Sequence, residues 1–571
     1  MKKSISLAVI AILSFAICVQ SIGYAQQRQQ SPVGSAGRPT SGSTGPARRA
    51  GRVTSPAIPL IERDLEEALR VIQQNYAEGL TDYNSVLKSS IIGMLRSLDP
   101  HSNYYDKAEY EELRTDQRSE YFGIGASIQN YIIDEKADTF VTATFQNAPA
   151  SRAQLRFGDR ILAVDGVPVT GKASIDVRDK IRGPRGSIVR LTVERAADRK
   201  IQTLEITRDV VPQPSVPDAY LLKPGVGYVD MTRGFNYTTS DELEDALQLL
   251  RAKGATSLVL DLRNNPGGFL DQAIQVAEIF LPYGQPILTQ KGRNGLRDNH
   301  FRSQNRSANS VPLVILINES TASASEIVAG AMQDHDRALI VGQTSFGKGL
   351  VQSIIPLDSG GGLTLTSAKY YTPSGRLIQR DYSDSGFYDY YTQGGSRRLD
   401  QKPEEVKPSG PEKQTDTGRK VYGGGGIAPD ETVAARMITT SQRRLLSPLF
   451  AFTRELVNGR LPGFPEYRVQ GINFESEWKP TDFLVTDELF SAFRDFVAGD
   501  ETFTKLGSII PRNREFIEVQ LRYNIVTAAY GRQMADRVLI LKDDPQLERS
   551  VAALPRAKDL AMTASKRQVQ P

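Results

Sequence analysis

Cysteine is almost absent: Cys18 is the only one, and it lies inside an apolar run near the N-terminus. A disulfide framework is excluded, and so is a thiol nucleophile in the folded body. Histidine is nearly as scarce. His101, His300 and His335 are all there are, which limits metal sites and leaves little for a base of the Ser-His-Asp kind. A dominant charge is also missing. A net charge of +4 over 571 residues is too small to argue for nucleic acid. That length exceeds one core, so several domains are expected.

The N-terminus reads as an address. Lys2 and Lys3 precede an apolar run from Ile5 to Val19, and Gly23-Tyr-Ala offers small residues for a signal peptidase. The run is short for a membrane span, so residues 1–25 are expected to be a signal peptide. Export to the periplasm or cell envelope follows, with a membrane tether as the alternative if the signal is uncleaved. Ile17 before Cys18 is too bulky for lipoprotein cleavage. Residues 26–58 are rich in Gln, Ser, Gly, Pro and Thr, with arginines as the only charges. They read as a disordered tether.

Beyond the tether the pattern changes several times. Residues 59–118 read as helical, with Leu65, Ala68, Leu69, Ile72 and Tyr76 at helix spacing and a second helix ending before Asp99-Pro-His. Residues 119–209 read as a small β-rich domain, with alternating segments at Thr139–Thr144 and Val189–Glu194. From 210 to 436 strands and helices alternate as in an α/β core. Its helix over Ser240–Lys253 is expected to be capped by Ser240. Residues 382–421 have loop composition, and 437–571 read as mostly helical. The fold class is multidomain α/β, a core with a β-rich insert and helical segments at both ends.

The stretch Gly342-Gln-Thr-Ser-Phe-Gly-Lys-Gly nearly matches a phosphate-binding loop. Gly349 stands where the magnesium-holding hydroxyl belongs, and Leu350–Pro356 reads as a strand rather than the required helix. Lys348 is then a surface lysine or a buried one with chemistry to do. Ser323 opens a helix after the buried strand Val314-Ile-Leu-Ile, where free N–H groups favour negative charge. Taken alone, Ser320 and Ser323 read as helix caps. Arg263-Asn-Asn-Pro-Gly-Gly follows another buried strand, and an N–H from Gly267 or Gly268 there suits an oxyanion. A serine at 323 would need a base. A neutral Lys348 serves if desolvation lowers its pKa by roughly three units, about 4 kcal/mol. In a strand Lys348, Leu350 and Gln352 would share a face, and a Gln carbonyl can aim an amine without adding charge.

Thr321-Ala-Ser-Ala-Ser-Glu, Phe346-Gly-Lys-Gly-Leu-Val-Gln and Leu262-Arg-Asn-Asn-Pro-Gly-Gly together resemble the carboxyl-terminal processing peptidases, the tail-specific Ser/Lys serine endopeptidases. Leu98-Asp-Pro-His-Ser, Tyr121-Phe-Gly-Ile-Gly-Ala and Ile181-Arg-Gly-Pro-Arg-Gly are similar to that family too. The likeness covers about residues 60–435. It implies Ser323 as nucleophile, Lys348 as base and Gln352 as orienting residue. The oxyanion hole falls on the amide of Ala324 and on Gly267 or Gly268. No cofactor and no metal are implied.

The 119–209 domain then resembles a PDZ domain. Phe122, Gly123, Ile124 and Gly125 fall on the loop that cradles a chain terminus, with an extended peptide added beside the next strand. Gln154 stands where many relatives have glycine. Arg182 and Arg185 are candidates for relaying occupancy of that loop to the core. The expected substrates are exported proteins gripped by free C-termini. The resemblance also implies self-association through terminal helices, and an activating adaptor protein is a further candidate partner. A non-catalytic PDZ scaffold and an NTPase are the rival readings.

Overall fold

The computed structural model describes residues 58–78, 82–116, 120–133, 135–295, 298–383, 390–391, 410–476 and 479–568. The expected signal peptide and tether, and most of the 382–421 loop, lie outside them. No helix among the described residues is long and apolar enough to cross a membrane.

The chain forms two compact units. The larger holds Glu111–Val351 and Ser367–Pro571, and the smaller combines residues up to Tyr110 with Gln352–Thr366. In the smaller unit, helices Ile58–Asn75 and Tyr83–Arg96 precede strand Asn103–Tyr105, which pairs antiparallel with Gly362–Thr364. Asp82 caps the second helix, its carboxylate accepting from Asn84 N–H at 3.0 Å.

The larger unit is built on a six-stranded sheet. Its order is Asp218–Lys223, Val226–Asp230, Ser257–Asp261, Leu313–Ile317, Leu339–Gly342 and Glu431–Thr432. The first pair is antiparallel and the rest are parallel. Parallel strands are covered on both faces and read as continuous apolar runs, as Leu313-Val-Ile-Leu-Ile does, buried at every position. Val229, Leu258, Leu260, Ile315 and Ile340 pack against helices Thr239–Ala252, Leu270–Phe280 and Ala324–Asp334. The alternate residues Tyr228, Val259, Val314, Leu316 and Val341 meet Leu547, Ala553, Leu554 and Ala557 of helix Pro545–Gln568.

Ser240 is not the cap of its helix. The helix begins at Thr239, because Thr239 Oγ1 already accepts from Asn236 N–H at 2.8 Å and turns the chain earlier. The hydroxyl of Ser240 instead donates to Gln275 at 2.9 Å. Part of the expected loop 382–421 is also ordered structure. Glu412–Gln414 and Lys420–Tyr422 form a hairpin, pinned where Arg419 pairs with Asp336 and Asp430.

The insert is a β-rich body whose main sheet runs Ala126–Ile133, Lys136–Thr144, Arg160–Val164, Ile188–Glu194, Ile201–Thr207, with Ala126–Ile133 at an edge. Its core is Val141, Leu155, Ile161, Val177, Val189 and Leu191. The chain enters and leaves it side by side, Glu120–Gly123 pairing with Asp209–Pro212. The C-terminal helices pack on the insert: Tyr131 stacks on Phe450 with centroids 3.8 Å apart. Buried Arg454 donates to Gly158 O at 2.6 Å and pairs with Glu194 at 2.9 Å.

Candidate active site

Ser323 is the last residue before helix Ala324–Asp334, and its backbone is left-handed, with φ 56° and ψ −117°. Such a conformation is uncommon outside glycine and costs energy. The surrounding turn holds it. Thr321 Oγ1 donates to Leu262 O at 2.8 Å, and Ala322 N–H donates to Asn265 O at 2.9 Å. Asn265 is fully buried, and its side chain donates to Met231 O and accepts from Gly267 N–H at 2.9 Å. The strand-end turn at 263–268 and the helix-start turn at 318–323 are therefore one hydrogen-bonded body.

Gly267 has φ 91°, and a Cβ there would lie 2.7 Å from Ser323 Cβ and 2.7 Å from Ala324 N. Only glycine permits that approach. The Gly267 N–H is already engaged by Asn265. The Gly268 N–H makes no hydrogen bond among the described residues, and the Ala324 N–H, first in its helix, has no intrahelical acceptor. Ala324 and Gly268 thus offer open amides beside Ser323, and Gly267 supplies the close packing.

Lys348 lies in the turn before strand Leu350–Pro356 and not inside the strand. The shared face expected for Lys348, Leu350 and Gln352 therefore holds only for the last two. Glycines flank Lys348: a Cβ on Gly347 would meet Gly426 N at 3.0 Å, and one on Gly349 would meet Gln379 N at 2.8 Å. Gln352 belongs to the smaller unit, where it is buried and its Nε2 lies 3.4 Å from Thr366 Oγ1.

Two residues missed by the sequence reading join the Ser323 and Lys348 turns. Glu326 is fully buried. Its Oε2 accepts from Ser323 N–H at 2.9 Å and Lys348 N–H at 2.8 Å. Its Oε1 accepts from Gly347 N–H at 2.7 Å and from the Ser345 hydroxyl. Burial pushes this carboxyl above its usual range, against those donors. The Ser-x-x-Glu capping-box pattern marked Glu326 as a partner of Ser323; nothing local marked the other bonds. Tyr370 is the second such residue, its hydroxyl bonding the carbonyls of Lys348 and Ser323.

The histidines stand elsewhere. His335 is at the far end of the Ser323 helix, held by Asp416 and Pro286. His300 faces Thr289, and His101 is buried in the smaller unit, in spite of its polar flanks.

In the insert, Phe122 and Gly123 end a strand, Ile124 is buried, and Gly125 is left-handed with φ 71°. The Ile124 and Gly125 carbonyls accept from Ala150 N–H at 2.7 Å and Phe145 N–H at 3.0 Å. Gln154 has φ 58° just past helix Pro149–Arg152, the position where glycine commonly ends a helix. Arg185 Nε donates to Asp209 at 3.1 Å, and Asp209 lies opposite Gly123 in the strand pair. Arg182 follows helix Ser174–Ile181, its N–H donating to Arg178 O at 2.9 Å.

Residues 225–384 match the model of peptidase family S41, and residues 140–195 match a PDZ domain. A carboxy-terminal-processing protease from Bartonella bacilliformis is 38% identical over 307 residues, which is 52% of this chain and 68% of that protein. The carboxy-terminal processing protease CtpA of Bacillus subtilis is 32% identical over 317 residues, 55% of this chain and 66% of its own length. Among solved structures, the photosystem II D1 C-terminal processing protease is 30% identical, covers 57% of this chain and 91% of its own, and has a TM-score of 0.34. The chain belongs to peptidase family S41, as a carboxyl-terminal processing serine protease with an inserted PDZ domain. The match spans about two thirds of these curated relatives.

Proposed function

We propose that the chain is an exported endopeptidase that cuts proteins in their C-terminal region with a Ser/Lys site. The observation that carries this reading is the strained Ser323 at a helix start, with open amides at Ala324 and Gly268 beside it. The Ser323 hydroxyl attacks the scissile carbonyl and gives its proton to the neutral amine of Lys348. The oxyanion is held by Ala324 N–H and Gly268 N–H. The protonated lysine then gives the proton to the leaving amine, and water hydrolyses the acyl-enzyme by the reverse roles. Gln352 takes the family's orienting role. A serine-reactive fluorophosphonate should label the wild type and leave Ser323→Ala unlabelled; labelling of that variant at another site with retained turnover would refute the reading.

The PDZ domain takes the substrate's terminal carboxylate at Phe122–Gly125, and the tail lies along the edge strand Ala126–Ile133. Occupancy also gates the site, with Arg185 and its Asp209 bond, or Arg182, as the relay. A ligand shifts such an equilibrium only by its differential affinity. A peptide with a free C-terminus and its amide, each at saturation, separate the cases: a tether changes KM alone, and a gate changes kcat.

The N-terminal sequence supports export. Helix Ile58–Asn75 leaves Leu60, Ile61, Leu65, Leu69 and Ile72 exposed, which supports self-association through it.

A further inference from the structure

Ser323 and Lys348 lie in two turns separated by helix Ala324–Asp334 and strand Leu339–Gly342, and their backbones are bridged twice. On the amide side, one oxygen of Glu326 accepts from both, at 2.9 Å from Ser323 N and 2.8 Å from Lys348 N. On the carbonyl side, the Tyr370 hydroxyl sits on Lys348 O and 3.1 Å from Ser323 O. Glu326 is 0% and Tyr370 1% exposed, so water does not compete for these bonds. Tyr370 is itself tied to the lysine turn, its N–H donating to Gly349 O at 3.0 Å.

We propose that Glu326 and Tyr370 are positioning residues that together fix the distance between the Ser323 nucleophile and the Lys348 base. The proposal rests on the Ser/Lys reading above. Proton transfer requires heavy atoms within about 2.6–3.2 Å, and a misplacement of about 1 Å can cost about 100-fold in rate. A lysine reaches its target on a flexible four-carbon stem. Before any side chain aims the amine, the backbone the stem springs from must be fixed, and that is where these bonds lie.

The chemistry of the two groups suits the task. Burial, and then the neighbouring Glu326, push the Tyr370 phenol far above its usual range, so it remains a donor at any working pH. Its single proton is shared between two carbonyls. Glutamine cannot replace Glu326. Both carboxylate oxygens receive backbone N–H groups, so either orientation of the amide sets an NH2 group against a donor.

The test uses the full chain, a fluorogenic peptide with a free C-terminal carboxylate, and the fluorophosphonate labelling rate. Tyr370→Phe removes one hydroxyl. It should lower kcat and labelling by about 10- to 100-fold, with KM unchanged and the folded fraction intact by circular dichroism. Glu326→Gln should lower kcat at least as far. In the double variant the losses should not multiply, because both act on one distance. If Glu326→Gln does not fold, Tyr370→Phe decides alone. A Tyr370→Phe kcat within twofold of wild type overturns the proposal, as does a loss confined to KM or losses that multiply. Ser323→Ala and Lys348→Arg are the controls: turnover by either means the Ser/Lys reading has failed, whereas two dead controls beside a fully active Tyr370→Phe sink only the positioning role.

Discussion

His335 Nδ1 lies 2.8 Å from the carboxylate of Asp416, which fastens the 412–422 hairpin to the end of the Ser323 helix. The other ring nitrogen is 2.6 Å from Pro286 O, so both face acceptors. Burial alone would depress the imidazole. The Asp416 carboxylate, the Pro286 carbonyl and the charge of Asp334 outweigh it and hold the ring above the ordinary histidine range. The pair's contribution is therefore full below about pH 6.5 and is lost as pH rises through the raised folded value. His335→Gln should cost about 1–2 kcal/mol at pH 6, and its gap from wild type should narrow by pH 9. Urea denaturation at each pH measures this; a constant gap would mean a neutral ring.

Lys348→Arg should abolish peptide cleavage, because a guanidinium does not deprotonate near neutrality. Wild-type kcat/KM should rise with pH through one apparent pKa below the ordinary lysine value of about 10.4. A profile governed by a group near 6.5 that disappears in a histidine variant would assign the base to histidine instead.

Gly267→Ala should be among the most damaging small changes in the chain. Its Cβ would fall 2.6 Å from Ala322 O and 2.7 Å from Ala324 N, and backbone there has nowhere to move. A loss of at least about 100-fold in kcat is expected, with about 1–3 kcal/mol of stability. Active-site titration with equilibrium unfolding checks both, and near-normal turnover would show that the turn can relax.

Gln154→Gly should stabilise the protein by about 1 kcal/mol, since the left-handed backbone at φ 58° costs a side-chain-bearing residue roughly that much. The Gln154 carbonyl, which accepts from Arg195 at 2.7 Å, survives the change. Thermal unfolding measures the gain. A fall in Tm would mean that the Gln154 side chain outweighs its backbone strain.

Arg454→Ala removes one of three arginines around Glu194, which keeps Arg199 at 3.0 Å and Arg160 at 3.6 Å, and leaves Gly158 O without its donor. The unpaired carbonyl and the lost charge-assisted bond cost about 1–3 kcal/mol. Faster hydrogen exchange should appear in strands Arg160–Val164 and Ile188–Glu194, and unchanged exchange there would show that the helices do not brace the PDZ domain.

What was legible in the sequence follows the range of the forces involved. The strand after Lys348, the helix after Ser323 and the glycine turn at 267–268 are local signals, carried by β-branching, capping and missing side chains. The left-handed backbone of Ser323 was not readable, because it is imposed by the Asn265 turn arriving from another strand. Glu326 escaped notice for the same reason: its bonds to Ser345, Gly347 and Lys348 exist only once two turns meet. The helical character of residues 437–571 showed in their periodicity. That Phe450 belongs on Tyr131 did not, because an apolar face carries no address.

Helix Pro545–Gln568 covers one face of the central sheet over strands Ser257–Asp261, Leu313–Ile317 and Leu339–Gly342, and the sheet's parallel core is complete by Gly342 except for the short strand Glu431–Thr432. On a ribosome making about 5–20 residues per second, that helix follows the Leu339–Gly342 strand by roughly 10–40 seconds. During that interval Val259, Val314 and Leu316 lack the cover of that helix, so the nascent chain must be shielded, or held extended, until the helix is made.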